Sequence, residues 1–363
     1  MKVAILARGI GGRGGVARVI QGYAGNMPQA APGDEFYVIT DSALPERIGG
    51  GNVREVRLRN ANAALFDHVL VPRALGAIRP DVLLATKNAV PLFVKRPVAV
   101  VFHDLAYFAR PESYGLADNI YMRAMFKRSA RHAARIVAVS EWTREDVRRY
   151  LGKAAHDKTR TVHSGIDPAF RVLSDDERAA ARRRLPALPA RFILYAGNIT
   201  PRKNIERLLE ACASLEAGIG VVLTGHKSWK AERLDAAVGE LSKTRDVRIL
   251  GGLDDEAVAA LYNLAEASVY PSLYEGFGFP VLESFACGAP VAASNATAIP
   301  EIAGGAALLF DPSDTLSIAG ALGRIVEDGQ LREDLRTRGL ARAREFSWRR
   351  AAEEVLAILR EVA

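Results

Sequence analysis

An α/β chain of two doubly wound parallel-sheet domains, each Rossmann-like, is predicted by three observations. Short, almost wholly apolar runs alternate with helix-length stretches. The runs fall into two series. The length, 363 residues, suits roughly two domains of ~100–200 residues. The first series is 2–7 (KVAILA), 35–39 (EFYVI), 81–85 (DVLLA), 98–102 (VAVVF) and 135–139 (RIVAV). The second is 192–196 (FILYA), 219–224 (IGVVLT), 246–250 (DVRIL), 267–270 (ASVY) and 290–293 (PVAA). Strands apolar on both faces need helices on both faces, which argues for parallel βα units, and two series argue for two such domains instead of one barrel. Between Gly165 and Arg191 the chain reads GIDPAFRVLSDDERAAARRRLPALPAR, with prolines and a charge run, so the boundary belongs there. The last stretch, FSWRRAAEEVLAILREVA, places Val355, Leu356, Ile358, Leu359 and Val362 on one helical face.

Composition narrows the class. With 49% hydrophobic and 25% charged residues the chain is neither disordered, collagenous nor a coiled coil. No apolar run reaches the ~18–20 residues a membrane span requires. The opening MKVAILARGIGG reads as a first strand instead of a secretory signal. Cys212 and Cys287 cannot build a disulfide framework and no CxxC is present, so a reducing, cytoplasmic compartment is expected. Charge is uneven: residues 1–170 hold 25 Lys+Arg against 15 Asp+Glu, a surplus of ten, whereas the remainder carries 24 against 27. A basic front half favours an anionic partner: a nucleotide, an acidic lipid surface or nucleic acid. Aromatics are only 7% and show no basic–aromatic stacking pattern, which argues against nucleic acid.

The first strand runs into Arg8-Gly9-Ile10-Gly11-Gly12-Arg13-Gly14-Gly15, and a helix begins at about Val16. Glycines let a ligand approach the backbone, and free amides at a helix start favour an anion, so Gly11, Gly12 and Gly14 are candidate diphosphate contacts. Gly9, Gly11 and Gly14 also match G-x-G-x-x-G, with Asp41 after the second strand, the dinucleotide fingerprint of an NAD-dependent oxidoreductase.

The densest stretch is Pro271 to Pro290, PSLYEGFGFPVLESFACGAP. A strand ends at Pro271, Gly276 and Gly278 form a loop able to wrap a ligand, Pro280 suits the first helical turn, and Gly288 and Pro290 end that helix. Glu275 stands before the loop and Glu283 on the helix, eight residues later; two carboxylates so placed can each accept from vicinal hydroxyls of a sugar or ribose.

Here the chain resembles glycosyltransferase family 4, the retaining GT-B enzymes that use nucleotide-diphosphate sugars. The resemblance runs through Glu275-x7-Glu283, Tyr195-Ala-Gly197-Asn-Ile-Thr-Pro-Arg202-Lys203-Asn204, His103-Asp104, Val139-Ser140-Glu141 and Pro300-Glu301-Ile-Ala-Gly304. It implies a first domain of residues 1–170 on the acceptor side and a second of 171–344 that binds the nucleotide sugar. The two would face a cleft, and the last helix, about 345–363, would cross back to the first. It implies further that Glu283 binds the ribose, that Glu275 sits by the donor sugar, and that amides of Gly276, Phe277 and Gly278 touch sugar and phosphate. Gly197, Asn198, Gly225 and Leu250 are further candidate nucleotide contacts, and Ser140 would close a strand lining the acceptor side. Lys203 matches the family lysine that neutralises the leaving diphosphate. Where the family usually has an arginine this chain has Asn198, and Arg202 is the alternative cation. Fixed cations there would lower the barrier to departure. His103, after a strand, would meet the donor sugar. The candidate catalytic residues are therefore His103, Glu275, Arg202 and Lys203.

No Asp-x-Asp occurs, and the cations and amides meet the leaving group's needs, so metal independence and no bound cofactor are expected. Helix 119–135 carries Arg123, Lys127, Arg128, Arg131 and Arg135 with Met122, Met125, Phe126 and Ala133, which is compatible with docking on an anionic membrane. The expected activity is transfer of a hexose, mannose before others, from a nucleotide-diphosphate sugar (GDP-mannose first, UDP-sugars second). The acceptor would be a saccharide or lipid-linked saccharide of a surface polysaccharide or glycolipid. A non-catalytic protein binding anionic surfaces is the remaining rival.

Overall fold

A computed structural model gives the architecture, and it describes residues 1–59, 62–185, 188–226 and 232–363. The chain divides into two compact units: Met1–Asp167 with Phe346–Ala363, and Pro168–Glu345. In the stretch expected to join them a helix forms, Asp175–Arg184, opened by a capping box of Ser174 and Glu177. Pro186 and Ala187 of that stretch lie outside the described residues.

The first unit holds a seven-stranded parallel sheet in the order β3-β2-β1-β4-β5-β6-β7. Its strands are β1 (Lys2–Leu6), β2 (Glu35–Thr40), β3 (Val53–Arg57), β4 (Val82–Ala85), β5 (Val98–Phe102), β6 (Arg135–Ala138) and β7 (Thr159–Thr161). The second unit holds six parallel strands in the order β10-β9-β8-β11-β12-β13. These are β8 (Arg191–Ala196), β9 (Ile219–Thr224), β10 (Val247–Ile249), β11 (Ala267–Tyr270), β12 (Val291–Ser294) and β13 (Leu308–Phe310). The sequence expectation lacked β3, β7 and β13. All three are sheet edges. Edge strands need no double apolar coat, and VREVR and TRT accordingly show no apolar run to read.

Both sheets reverse direction once. The chain leaves β1 toward β2 and β3, then returns to β4 on the other side; in the second unit it leaves β8 and returns to β11. Loops after the two adjacent strands diverge at such a switch point, and the opening at the carboxyl ends is where these sheets take ligands.

The last helix, Trp348–Arg360, belongs to the first unit and packs on the helix Gly15–Ala30. Val355, Leu356, Ile358 and Leu359 are buried as its periodicity predicts, each contributing about 1.5–3 kcal/mol. Gly22 lies under the Trp348 ring, and a Cβ there would sit 2.3 Å from ring carbons. Helix Leu116–His132 departs from expectation. Met125, Phe126 and Ala133 are buried in the core of the first unit, and Met122 packs against it, so they do not form an outward apolar face.

Replacing Gly22 by Val should overpack this joint, costing about 1–3 kcal/mol. For a unit of this size that corresponds to a fall in Tm of roughly 2–4 °C per kcal/mol. An unchanged melting curve for Gly22→Val would show that Trp348 does not seat there.

Candidate active site

At the second unit's switch point, Pro201–Lys203 make one turn after β8, and Asn204 follows in the left-handed region (φ 59°). The Asn204 amide donates to the carbonyls of Pro271 (3.2 Å) and Pro312 (2.7 Å), and the Leu273 N–H donates to the Arg202 carbonyl (2.8 Å). These bonds fasten the loop after β8 to the loop after β11. They also set two cations on one carboxylate: Arg202 Nη1 donates to Glu275 Oε2 (3.1 Å) and to the Tyr274 carbonyl (2.9 Å), and Lys203 Nζ donates to Glu275 Oε1. Burial alone would raise the Glu275 pKa; the charges of Lys203 and Arg202 override it and hold the group at about 2. Glu275 is therefore an anion at any physiological pH.

Glu275 is also held from behind. Its N–H donates to Thr297 Oγ1 (3.0 Å), and Thr297 adopts φ 58°. That conformation is costly for a β-branched residue, and such strain gathers at functional sites. Gly278 (φ 124°) opens the helix Phe279–Ala286, with Pro280 in its first turn as the sequence predicts. Glu283 on that helix is buried and takes a hydrogen bond from the Tyr262 hydroxyl (3.3 Å), which in turn accepts from Tyr270 (3.0 Å).

Not every predicted contact has the same standing. Gly197 and Gly225 are required by packing, since a Cβ on Gly225 would come within 2.0 Å of the Gly197 carbonyl oxygen. The Leu250 N–H pairs with the Leu223 carbonyl in the sheet (2.9 Å). The Asn198 side chain is exposed, so beside Lys203 the second cation on Glu275 is Arg202.

In the first unit, the glycine loop after β1 is bracketed. The Gly9 N–H donates to Asp41 Oδ1 (2.8 Å), and Arg8 makes a two-bond ion pair with Asp67 (2.8 and 3.1 Å). Asp41 thus fastens the loop through one of its two carboxylate oxygens. Gly9 (φ 83°) leaves room for Lys87, whose ammonium would lie 3.1 Å from a Cβ there. Burial, then Arg8, lowers the Lys87 pKa. His103 follows β5; its Nε2 donates to the Thr86 carbonyl (2.7 Å), and its N–H donates to Asn88 Oδ1 (2.9 Å). That contact sets the tautomer, leaving Nδ1 as acceptor. Burial lowers the His103 pKa more than the Thr86 bond and Asp104 raise it, and Lys87 adds to the lowering. Ser140, expected to close a strand lining the acceptor side, follows β6, is fully buried and accepts from the Thr143 N–H (3.0 Å) as a helix cap. Sequence reasoning missed Thr86, Lys87 and Asn88, although they follow a strand as His103 does. It also missed Thr297, which no sequence signal marks. Among the described residues, no cluster of His, Cys, Asp and Glu could hold a metal ion, and no helix is long and apolar enough to cross a membrane.

Two family models match the chain: "Glycosyltransferase Family 4" over residues 13–170 and "Glycosyl transferases group 1" over 177–342. O-antigen chain mannosyltransferase B of Escherichia coli is 33% identical over 260 residues, covering 70% of this chain and 68% of that protein. The chain belongs to glycosyltransferase family 4. Serotype-specific mannosyltransferase WbdA of Escherichia coli is 32% identical over 261 residues, 69% of this chain but only 32% of that longer protein. Among solved structures, Anabaena HepE in complex with UDP and glucose superposes with a TM-score of 0.79 at 19% identity, covering 99% of this chain and all of that one. Sucrose-phosphate synthase from Thermosynechococcus elongatus gives 0.79 at 21% identity over 99% and 98% of the two chains. At such identities the likeness establishes the fold: two Rossmann-like parallel-sheet domains of GT-B type. The protein is a hexosyltransferase of this family.

The Glu275 pair makes a pH prediction. A carboxylate held at about 2 in the folded chain and near 4.5 unfolded stabilises above pH 4.5, and that contribution is lost as pH falls toward 2. Glu275→Gln should cost at most about 3–5 kcal/mol near neutrality, and less and less in acid. Urea unfolding across pH is the measurement, and a pH-independent difference would contradict the ion triad.

Proposed function

We propose that the enzyme transfers mannose from GDP-mannose to a hydroxyl of a saccharide or lipid-linked saccharide acceptor, with retention at the anomeric carbon and without a metal ion, in surface polysaccharide synthesis. The cluster of Arg202, Lys203 and Glu275 at the second sheet's switch point carries this reading. A nucleoside diphosphate departs with developing negative charge. Two cations already desolvated beside its exit stabilise that charge at little reorganisation cost. Glu275 orients both cations and accepts from sugar hydroxyls, and the amides after Gly276 complete the cradle.

The two carboxylates of the motif are engaged with cations and with Tyr262, which suits binding better than nucleophilic attack. Retention then follows from a same-face displacement. The bond from the anomeric carbon to the phosphate oxygen breaks, the acceptor oxygen bonds to that carbon on the same face, and the acceptor's proton passes to the departing phosphate. A neutral His103, with Nε2 committed to Thr86, offers Nδ1 to a sugar hydroxyl. Mannose is favoured by the mannosyltransferase relatives; the solved neighbour with UDP keeps UDP-sugars second.

In a thermal-shift screen of GDP-, UDP-, ADP- and dTDP-sugars, GDP-mannose should stabilise most, by about 2.7 kcal/mol at a hundred times its Kd, and EDTA should leave the shift intact. Lys203→Ala should lower kcat by about 10²–10³-fold. Stabilisation by NAD alone, or full activity in Lys203→Ala, would overturn the assignment.

A further inference from the structure

Six of the ten large hydrophobic side chains exposed among the described residues fall on three segments of the first unit: Leu65 and Val69, Phe93, and Leu116, Ile120 and Tyr121. Phe93 and Leu116 are 79% and 78% exposed. The segments are joined. His68 accepts from the Leu92 N–H at Nδ1 (3.3 Å), and its Nε2 lies 3.3 Å from the Tyr121 hydroxyl. Arg128 Nη1 donates to the Val90 carbonyl (2.9 Å), tying the Phe93 loop to the same helix. Phe93 holds a φ of 60°. A bulky residue pays strain for that conformation, and here the ring it holds out gains no packing in return.

Charge completes the pattern. On helix Leu116–His132, Leu116, Ile120, Ala124, Lys127 and Arg131 are all exposed at spacings of four, four, three and four, one stripe that is apolar at its start and cationic at its end. Lys95 and Arg96 follow Phe93 and are exposed. Between residues 63 and 131 ten Lys and Arg stand against five Asp and Glu. Of the nearby carboxylates, Asp118 accepts from the Tyr107 hydroxyl (3.0 Å) and Glu112 lies 3.9 Å from Arg110.

We propose that this surface docks on an anionic lipid bilayer: Phe93, Leu116 and Ile120 enter the interface while Lys95, Arg96, Lys127 and Arg131 meet phosphate headgroups. Apolar protrusions flanked by cations match the bilayer's two layers, an apolar interior beneath anionic headgroups. The patch shares the carboxyl-end loops of β3, β4 and β5 with His103, so docking brings lipid-borne acceptors to the first unit's reactive edge; that last step alone rests on the proposed lipid-linked acceptor.

The test is sedimentation of the full-length protein with vesicles of phosphatidylcholine alone or mixed with phosphatidylglycerol. Binding is expected to the mixed vesicles only and to fall with salt. Phe93→Ser with Ile120→Ser should weaken it about tenfold or more, and Lys95→Glu with Arg96→Glu should also weaken it. Both variants should keep the wild-type melting curve and the wild-type transfer rate to a water-soluble acceptor. No sedimentation, equal sedimentation with neutral vesicles, or binding unchanged in either variant would overturn the proposal. So would a dimer in light scattering that Phe93→Ser with Ile120→Ser dissolves, which assigns the surface to a second copy. Vesicle binding without any donor-induced thermal shift would keep this inference and count against the proposed donor and its site.

Discussion

Two cations closing on one carboxylate are the constraint around which the second unit is arranged. Moving Glu275, Lys203 and Arg202 out of water is costly, and the cost is offset only if all three keep close, fixed partners. The surrounding backbone supplies that fixity. Asn204 in a left-handed conformation, the Leu273–Arg202 bond and the Thr297 contact hold three loops so that the charges cannot drift apart. Without a ligand the triad is neutralised in part by its own carboxylate. On the proposed function, a diphosphate arriving there would meet cations that are already in place.

The two units solve the same topological problem and use it differently. Each opens a gap where the strand order reverses. In the second unit the gap is furnished with charge. In the first it is furnished with backbone: the glycine loop is braced by Asp41, Lys87 lies under Gly9, and His103 is turned by Thr86.

How much was legible depended on whether a signal was local. Central strands declared themselves because burial on both faces forces an unbroken apolar run, whereas β3 and β7 border solvent and carry no such run, and β13 is apolar but only three residues long. Glu275, Lys203 and His103 were visible because each follows a strand that sequence can locate, and Glu283 because it lies eight residues beyond Glu275 on the helix that Pro280 opens. The partners that give them function were not. Thr297 is an ordinary threonine until its backbone is seen in a left-handed turn, and Thr86 is one more residue after a strand until its carbonyl meets an imidazole 17 residues away. Helix Leu116–His132 makes the point most sharply: its composition announced an amphipathic, basic helix, yet Met125 and Phe126 face the core while Leu116 and Ile120 face outward.

By itself the sequence determined the two parallel-sheet units, the amphipathic last helix, and the residue types available for diphosphate and sugar, because these follow from local periodicity, glycine and proline placement, and charge; the return of that helix to the first unit came from the family resemblance. The tertiary structure alone decided that Arg202 and Lys203 close on Glu275, that Asp41 braces a loop, and which apolar side chains stay in water. Those outcomes depend on contacts between segments tens of residues apart, and the free energy of such a contact is set by a geometry that no short stretch of chain contains.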